Sequence, residues 1–160
     1  MLTRRTALSG LAAIASANLL QTLGAHAAGE DHVVHTDAEW RSRLTANQYA
    51  ILREDGTERP FTSPLLHEKR KGIFACAGCG NDLFSSATKF DSGTGWPSFW
   101  APLDNAVNTH VDRSYGMVRT AVTCHRCDGH LGHVFDDGPK PTGLRYCMNG
   151  LALTFKPATA

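Results

Sequence analysis

Apolar positions along the 160-residue chain fall into three stretches of different rhythm. From Leu8 to about Leu23 they run together, broken by Ser16, Asn18 and Gln21. From Trp40 through Leu44, Tyr49, Ile51 and Leu52 they form a stripe that predicts one or two amphipathic helices ending near residue 54. Thr36 or Asp37 is the expected cap, with Glu39 in the first turn, and Asp55-Gly56 is the expected stop. Trp40 and Tyr49 are expected in the core. Residues 57–71 contain prolines and the Lys69-Arg70-Lys71 cluster, and read as a solvated loop. After Gly72, short β-favouring runs alternate with Gly and Pro turns. The predicted strands are Ile73–Cys76, Val107–Val111, Met117–Cys124, His133–Phe135, Leu144–Asn149 and Leu151–Phe155. Connections this short favour antiparallel sheets over βαβ units. The expectation is a mainly β domain with short N-terminal helices.

Composition changes the picture at the N-terminus. A 42% hydrophobic, 19% charged chain supports one packed core. The first 27 residues stand apart: Arg4-Arg5, the mildly apolar stretch, then Ala25-His26-Ala27. A charged start, an apolar middle and a small-x-small end describe a secretory signal, and the arginine pair resembles a twin-arginine export signal. The expectation is removal of residues 1–27, a tether at 28–36, a domain at 37–157 and export to the periplasm. An N-terminal helix that stays on, or an uncleaved anchor, is the alternative. No apolar run reaches the roughly 18–20 residues of a membrane span. Removing Arg4 and Arg5 turns the net charge of +1 into −1, which disfavours nucleic acid as a partner.

Five cysteines give an odd count. Four form two C-x-x-C pairs, Cys76-Ala77-Gly78-Cys79 and Cys124-His125-Arg126-Cys127. Each pair is a tight knuckle that aims two sulfurs at one point, and two knuckles supply the tetrahedral thiolate set of structural zinc. Redox-active pairs and an iron–sulfur cluster are the alternatives. Four sulfurs would fill the shell, so such a metal clamps the sheet and has no open position for chemistry. His125, inside the second knuckle, is expected to face solvent.

The fifth is Cys147. On an extended segment Arg145, Cys147 and Asn149 share one face, and Leu144, Tyr146 and Met148 the other. A guanidinium beside Cys147 is expected to favour thiolate, the nucleophilic form. An inert buried thiol is the bland alternative. His130 and His133, three apart, are candidate proton donors, or else metal or ordinary loop histidines. Asp91 to Trp100 makes a bent Gly- and Pro-containing loop. Trp96, between Gly95 and Pro97, is its pocket candidate, whereas Phe99 and Trp100 read as core.

Together these elements resemble the methionine-R-sulfoxide reductase B family. The resemblance runs from about Trp40 to Phe155 and rests on Thr57–Phe61, the two C-x-x-C pairs, Ser92–Phe99, His130–Phe135, Asp137-Gly138-Pro139 and Arg145-Tyr146-Cys147-x-Asn149. It implies two antiparallel sheets of β-tent type with helices to one side. It also implies one structural zinc per chain on Cys76, Cys79, Cys124 and Cys127, away from the active site. Cys147 would attack the sulfur of methionine R-sulfoxide in an oxidised peptide or protein and be left as sulfenic acid. His130 and His133 would hold or protonate the sulfoxide oxygen. Trp96 would contact the terminal methyl, with Phe135 a second substrate-binding residue. Arg145 and Asn149 would orient the site and stabilise the thiolate.

Three positions depart from the family pattern. Thr94 stands where some members carry a resolving cysteine, so an external reductant such as a thioredoxin-like protein is expected to restore Cys147. Gly150 replaces a serine and is expected to loosen the turn before the last strand. Ala121 replaces an acidic residue, which removes a partner for a neighbouring histidine or arginine. A monomer is expected. A ligand-binding module without turnover and a Cys147-dependent hydrolase are the competing functions.

Overall fold

The computed structural model describes residues 32–159. The expected signal at 1–27 and the first part of the expected tether lie outside the described residues. His32 and Val33 lie along the second cysteine knuckle. The Val33 amide donates to the Arg126 carbonyl at 2.6 Å, and His32 meets Asp128 at 2.9 Å.

Two helices follow, α1 (Asp37–Arg43) and α2 (Ala46–Glu54). The apolar stripe is divided between them because Thr45 starts a second helix. Thr36 with Glu39, and Thr45 with Gln48, each form a reciprocal capping box, which satisfies amide donors that would otherwise lack partners. Asp55 closes α2 in the left-handed region at φ 53°, and the Gly56 amide returns to the Ala50 carbonyl. Trp40, Leu44, Tyr49, Ile51 and Leu52 are buried against the sheets. Among the described residues no helix is long and apolar enough to cross a membrane.

Among the described residues nine strands form two antiparallel sheets. They are β1 (Gly72–Cys76), β2 (Asp82–Ser85), β3 (Lys89–Phe90), β4 (Ser98–Phe99), β5 (Val107–Asp112), β6 (Arg119–Cys124), β7 (His130–Phe135), β8 (Arg145–Met148) and β9 (Leu153–Pro157). One sheet has the order β2-β1-β9, the other β3-β4-β8-β7-β6-β5. The mainly β, two-sheet expectation holds. β2, β3 and β4 were not anticipated: β3 and β4 are two residues long, and β2 sets apolar Leu83 and Phe84 side by side, so none shows a period. Met117 and Val118 precede β6 and are exposed, and residues 150–152 form a tight helical turn before β9.

The sheets meet across aromatic rings. Phe84 of β2 stacks on Phe99 of β4 at 4.4 Å between centroids, and Phe74 of β1 meets Phe99 edge-on at 4.9 Å. Offset and edge-on pairs of this kind add to the burial of large apolar area. Phe74, Phe84, Phe99, Val122, Leu131 and Met148 are fully buried. This core fixes the opposite face of the larger sheet, which carries the site.

Candidate active site

Register places the site residues in rows. His110 pairs with Ala121, Ala121 with His133, His133 with Cys147, and Cys147 with Ser98. Directly opposed residues share a face. One row therefore crosses five strands, with Cys147 and His133 adjacent. In the next row Asp112 pairs with Arg119, and Phe135 with Arg145. On β8, Met148 faces the core and Tyr146 packs against it, which leaves Arg145 and Cys147 on the site face as the alternation predicts.

His130 and His133 would point to opposite faces of a regular strand. Between Val122 and Thr123 the β6–β7 register shifts: Val122 pairs with Gly132, and Thr123 with His130. Leu131 is thus an extra residue on β7, a bulge that returns His130 to the face of His133. The two rings stand 5.3 Å apart, edge to face. Gly132 accommodates the bulge. A Cβ there would lie 2.1 Å from the Cys147 carbonyl oxygen, so any side chain would push β8 away.

The two histidines differ in environment. His130 is 3% exposed, and burial pushes its pKa down to about 4, which makes it a neutral imidazole at neutral pH. Burial also lowers the pKa of His133, but its Nε2 lies 2.8 Å from Asp112, whose charge favours the protonated ring. Asp112 is well suited to that task. The Ser114 amide and hydroxyl, His133 and Arg119 hold its carboxyl far below the usual range.

Around Cys147, a small pocket of about 130 Å³ is lined by Thr57, Trp96, Arg119, Gly132, His133, Phe135 and Asn149. The Trp96 indole donates to the Glu58 carbonyl at 3.2 Å, which fixes the ring. Phe135 lies under the Arg145 guanidinium at 4.4 Å, and Arg145 makes two 2.8 Å bonds to Asp137. Asn149 is buried with both ends of its amide engaged. It accepts from the Glu58 amide at 3.0 Å and donates to the Leu131 carbonyl at 3.1 Å, so it ties β8 to the β7 bulge.

The thiolate expectation is corrected. Burial pushes the Cys147 thiol above its usual pKa and outweighs Thr94, Arg145 and Ser98, which pull it down. Arg145 is already neutralised by Asp137, so its field at the sulfur is weak. Gly150 does not loosen its turn either. Its amide donates to the buried Glu58 carboxyl, and Ser63 Oγ occupies the space a side chain would need.

The four remaining cysteines are brought together. Their sulfurs all lie within 4.8 Å of one another, with Cys76–Cys127 at 3.7 Å and Cys79–Cys124 at 3.5 Å. A tetrahedron of sulfurs about 2.3 Å from a central zinc has edges near 3.8 Å, so the set fits a tetrahedral metal ion. Cys76, Cys124 and Cys127 are buried. His125 is exposed and bonds Asn108, as expected of a residue outside the ligand set.

A SelR domain family model matches residues 44–157. That match spans most of the chain. The chain belongs to the MsrB family. Relatives named peptide methionine sulfoxide reductase MsrB agree with this. One from Agrobacterium fabrum is 57% identical over 123 residues, covering 76% of this chain and 91% of the relative. One from Bradyrhizobium diazoefficiens is 55% identical over 132 residues, 80% and 93% of the two chains. One from Pseudomonas putida is 58% identical over 120 residues, 74% and 90% of the two.

In this MsrB-family chain two positions that matter to the site, Asp112 and Glu58, were given no role from the sequence. Asp112 lies two strands from His133 and reaches it diagonally, over the space left by Ala121. The carboxylate that meets His133 thus comes from β5. Glu58 braces both Trp96 and Asn149 through its backbone. Thr94 is itself a neighbour of the sulfur, its hydroxyl 3.8 Å from Cys147 Sγ.

Proposed function

We propose that the protein reduces methionine R-sulfoxide in peptides and proteins, with Cys147 as nucleophile. The observation that carries this reading is the meeting of Cys147, His133 and Trp96 in one pocket of an MsrB-family chain. Trp96 and Phe135 offer flat apolar surfaces for the terminal S-methyl group. His133 faces the sulfur from the neighbouring strand and holds a proton for the sulfoxide oxygen, which is a poor leaving group as oxide. Cys147 starts as a thiol. Its sulfur bonds to the sulfoxide sulfur while its proton passes to the sulfoxide oxygen, by way of His133, which takes up and returns one proton. The sulfur–sulfur bond and the S–O bond to the substrate then break as the OH moves to Cys147: thiol plus sulfoxide becomes sulfenic acid plus thioether, two electrons moving from one sulfur to the other. His130, neutral and buried, positions His133 rather than donating a proton. Fixed places for methyl and oxygen select one epimer, because inversion at sulfur exchanges the two groups.

Cys147 is the one cysteine outside the four-sulfur cluster, so an external thiol, such as a thioredoxin-like protein, restores it. Zinc on Cys76, Cys79, Cys124 and Cys127 would supply structure alone, holding β1 to the turn between β6 and β7. Residues 1–27 act as a twin-arginine export signal to the periplasm, a route that carries folded protein and would let zinc load first. The enzyme works as a monomer.

The deciding experiment incubates the domain with both epimers of N-acetyl-methionine sulfoxide amide and a dithiol, then separates them. Loss of the R form by wild type and not by Cys147→Ser supports the reading. Loss of only the S form, or turnover by Cys147→Ser, contradicts it. Hydrolysis of an activated ester with no oxidised Cys147 would favour the hydrolase, and saturable binding without turnover the binding module. Zinc measured on protein from the exported fraction tests the metal and the address together.

A further inference from the structure

Three hydroxyls, two on the bent loop and one on β4, run in a chain to Cys147. Thr94 Oγ1 lies 3.8 Å from Cys147 Sγ, Ser92 Oγ 2.8 Å from Thr94 Oγ1, and Ser98 Oγ 2.7 Å from Ser92 Oγ. Ser98 is fully buried opposite Cys147, and its hydroxyl donates to the Trp96 carbonyl at 3.1 Å.

A hydroxyl has one proton to give. Ser98 gives its proton to the Trp96 carbonyl, so it accepts from Ser92. Ser92 then accepts from Thr94, and Thr94 accepts from the Cys147 thiol. At rest the chain points away from the sulfur, and every member has a partner. Once the thiol loses its proton, the sulfur can only accept. Turning the three O–H bonds about their C–O axes then reverses the chain: Ser98 donates to Ser92, Ser92 to Thr94, and Thr94 to the sulfur. No heavy atom moves, and each hydroxyl keeps its own proton and changes only its partner. The bond given up is the neutral one to the Trp96 carbonyl. The bond gained is to a charged sulfur, and hydrogen bonds to ionised groups are about twice as strong as neutral ones. Thr94 and Ser98 both pull the Cys147 thiol down, against the burial that raises it.

Resting on the reading of Cys147 as nucleophile, we propose that Ser98, Ser92 and Thr94 form a reversible hydroxyl chain that turns to donate to the Cys147 sulfur as the thiol proton passes to His133. Thr94 touches the reacting atom. Ser92 and Ser98 are positioning residues, which set the direction of the Thr94 proton. Thr94 thus has a task of its own: it cannot close a disulfide, but it offers a hydrogen bond to the nucleophile only in its charged state.

The test follows the alkylation of Cys147 by iodoacetamide against pH, located by mass spectrometry, in the otherwise unaltered protein. Alkylation reads the thiolate without any sulfoxide. The charged and titratable groups that face Cys147 are His133 from β7, Arg119 from β6 and Arg145 from its own strand, and they are the same in every variant. Thr94→Val keeps the shape and removes the donor, so the inflection should rise by about one pH unit, roughly a tenfold loss of thiolate below it. Thr94→Ser should restore the wild-type inflection. Ser92→Ala should move it the other way, down by about half a unit, because the Thr94 proton is then no longer drawn away from the sulfur. A loop merely loosened by substitution would not shift the two variants in opposite directions. An unmoved inflection in Thr94→Val, a Thr94→Ser variant that behaves like the valine variant, or a Ser92→Ala inflection that rises or stays in place overturns the chain. A wild-type protein that reduces neither sulfoxide epimer, yet shows the predicted shifts in its variants, overturns the reading of Cys147 as a reductase nucleophile and leaves the chain standing.

Discussion

Gly132→Ala is the smallest change that should disconnect the nucleophile from its proton donor. The added Cβ would sit 2.1 Å from the Cys147 carbonyl oxygen and 3.0 Å from Met148 Cα. Relieving the first contact to about 3.0 Å demands a displacement of about 0.9 Å, by backbone and not by a flexible side-chain tip. The strands that must part are β7 and β8, which carry His133 and Cys147 opposite each other. Nearby bonds, from the Asn149 amide to the Leu131 carbonyl at 2.8 Å and from the Met148 amide to the Pro97 carbonyl at 2.9 Å, resist the movement. Overpacking of this kind costs about 1–3 kcal/mol. For a domain of this size that corresponds to a fall in Tm of roughly 3–15 °C. A displacement of about 1 Å between reacting groups costs on the order of 100-fold in rate. Steady-state kcat/KM on methionine R-sulfoxide amide and a thermal melt measure both effects. An alanine variant within about threefold of wild-type kcat/KM, with an unchanged melt, would refute the claim that the bulge sets the His133–Cys147 geometry.

Four further outcomes are expected. Asp112→Asn removes the charge that favours protonated His133, so its pKa falls further; kcat should drop at neutral pH, within the roughly 10²–10⁴-fold a positioned acid contributes, and the descending limb of the pH profile should move to lower pH. An unchanged profile would separate Asp112 from the chemistry. His130 is held neutral, with a pKa of about 4 against an ordinary 6.5, so the unfolded chain binds the extra proton between those values and stability falls as pH drops through that window, by about 3 kcal/mol. Urea unfolding from pH 7 to 4 should show that slope, and His130→Asn should flatten it. Cys124→Ala leaves three sulfurs; structural zinc is worth about 10–16 kcal/mol in small metal domains, as much as an ordinary fold's whole stability, so the variant should retain no metal and show no cooperative melt. A normal melt without metal contradicts the clamp. Thr94→Cys places a second thiol beside Cys147 and should convert the oxidised form to an intramolecular disulfide, read as two thiols lost per turnover; persistence of a lone sulfenic acid argues against that proximity.

Several features could be read directly from the residues because their cause is local. Thr36 and Glu39 are three apart, which is the span of a capping box. Cys-x-x-Cys is the reach of one tight turn, so each knuckle is written in four residues. The alternation of Tyr146 and Met148 with Arg145 and Cys147 follows from the period of an extended strand. The mainly β fold came from the same rhythm. β3 and β4 escaped because two residues carry no period, and β2 sets apolar Leu83 and Phe84 side by side, so it shows no alternation.

What the chain alone left open depends on which strand lies beside which. Spacing says only that His130 and His133 are three apart, an interval that on a regular strand separates them. The bulge at Leu131 unites them, and it exists only in the pairing of β7 with β6. Asp112 enters the site because β5 and β6 align it two strands from His133, a relation that no window of sequence contains. The direction of the Cys147 shift was also tertiary: the neighbouring arginine is visible in the sequence, but the burial that outweighs it and the Asp137 that neutralises it are not. The sequence by itself determined the reactive groups, the local turns and the faces on which they stand. Register and burial, set by contacts distant along the chain, decided which of those groups meet and in what state of charge.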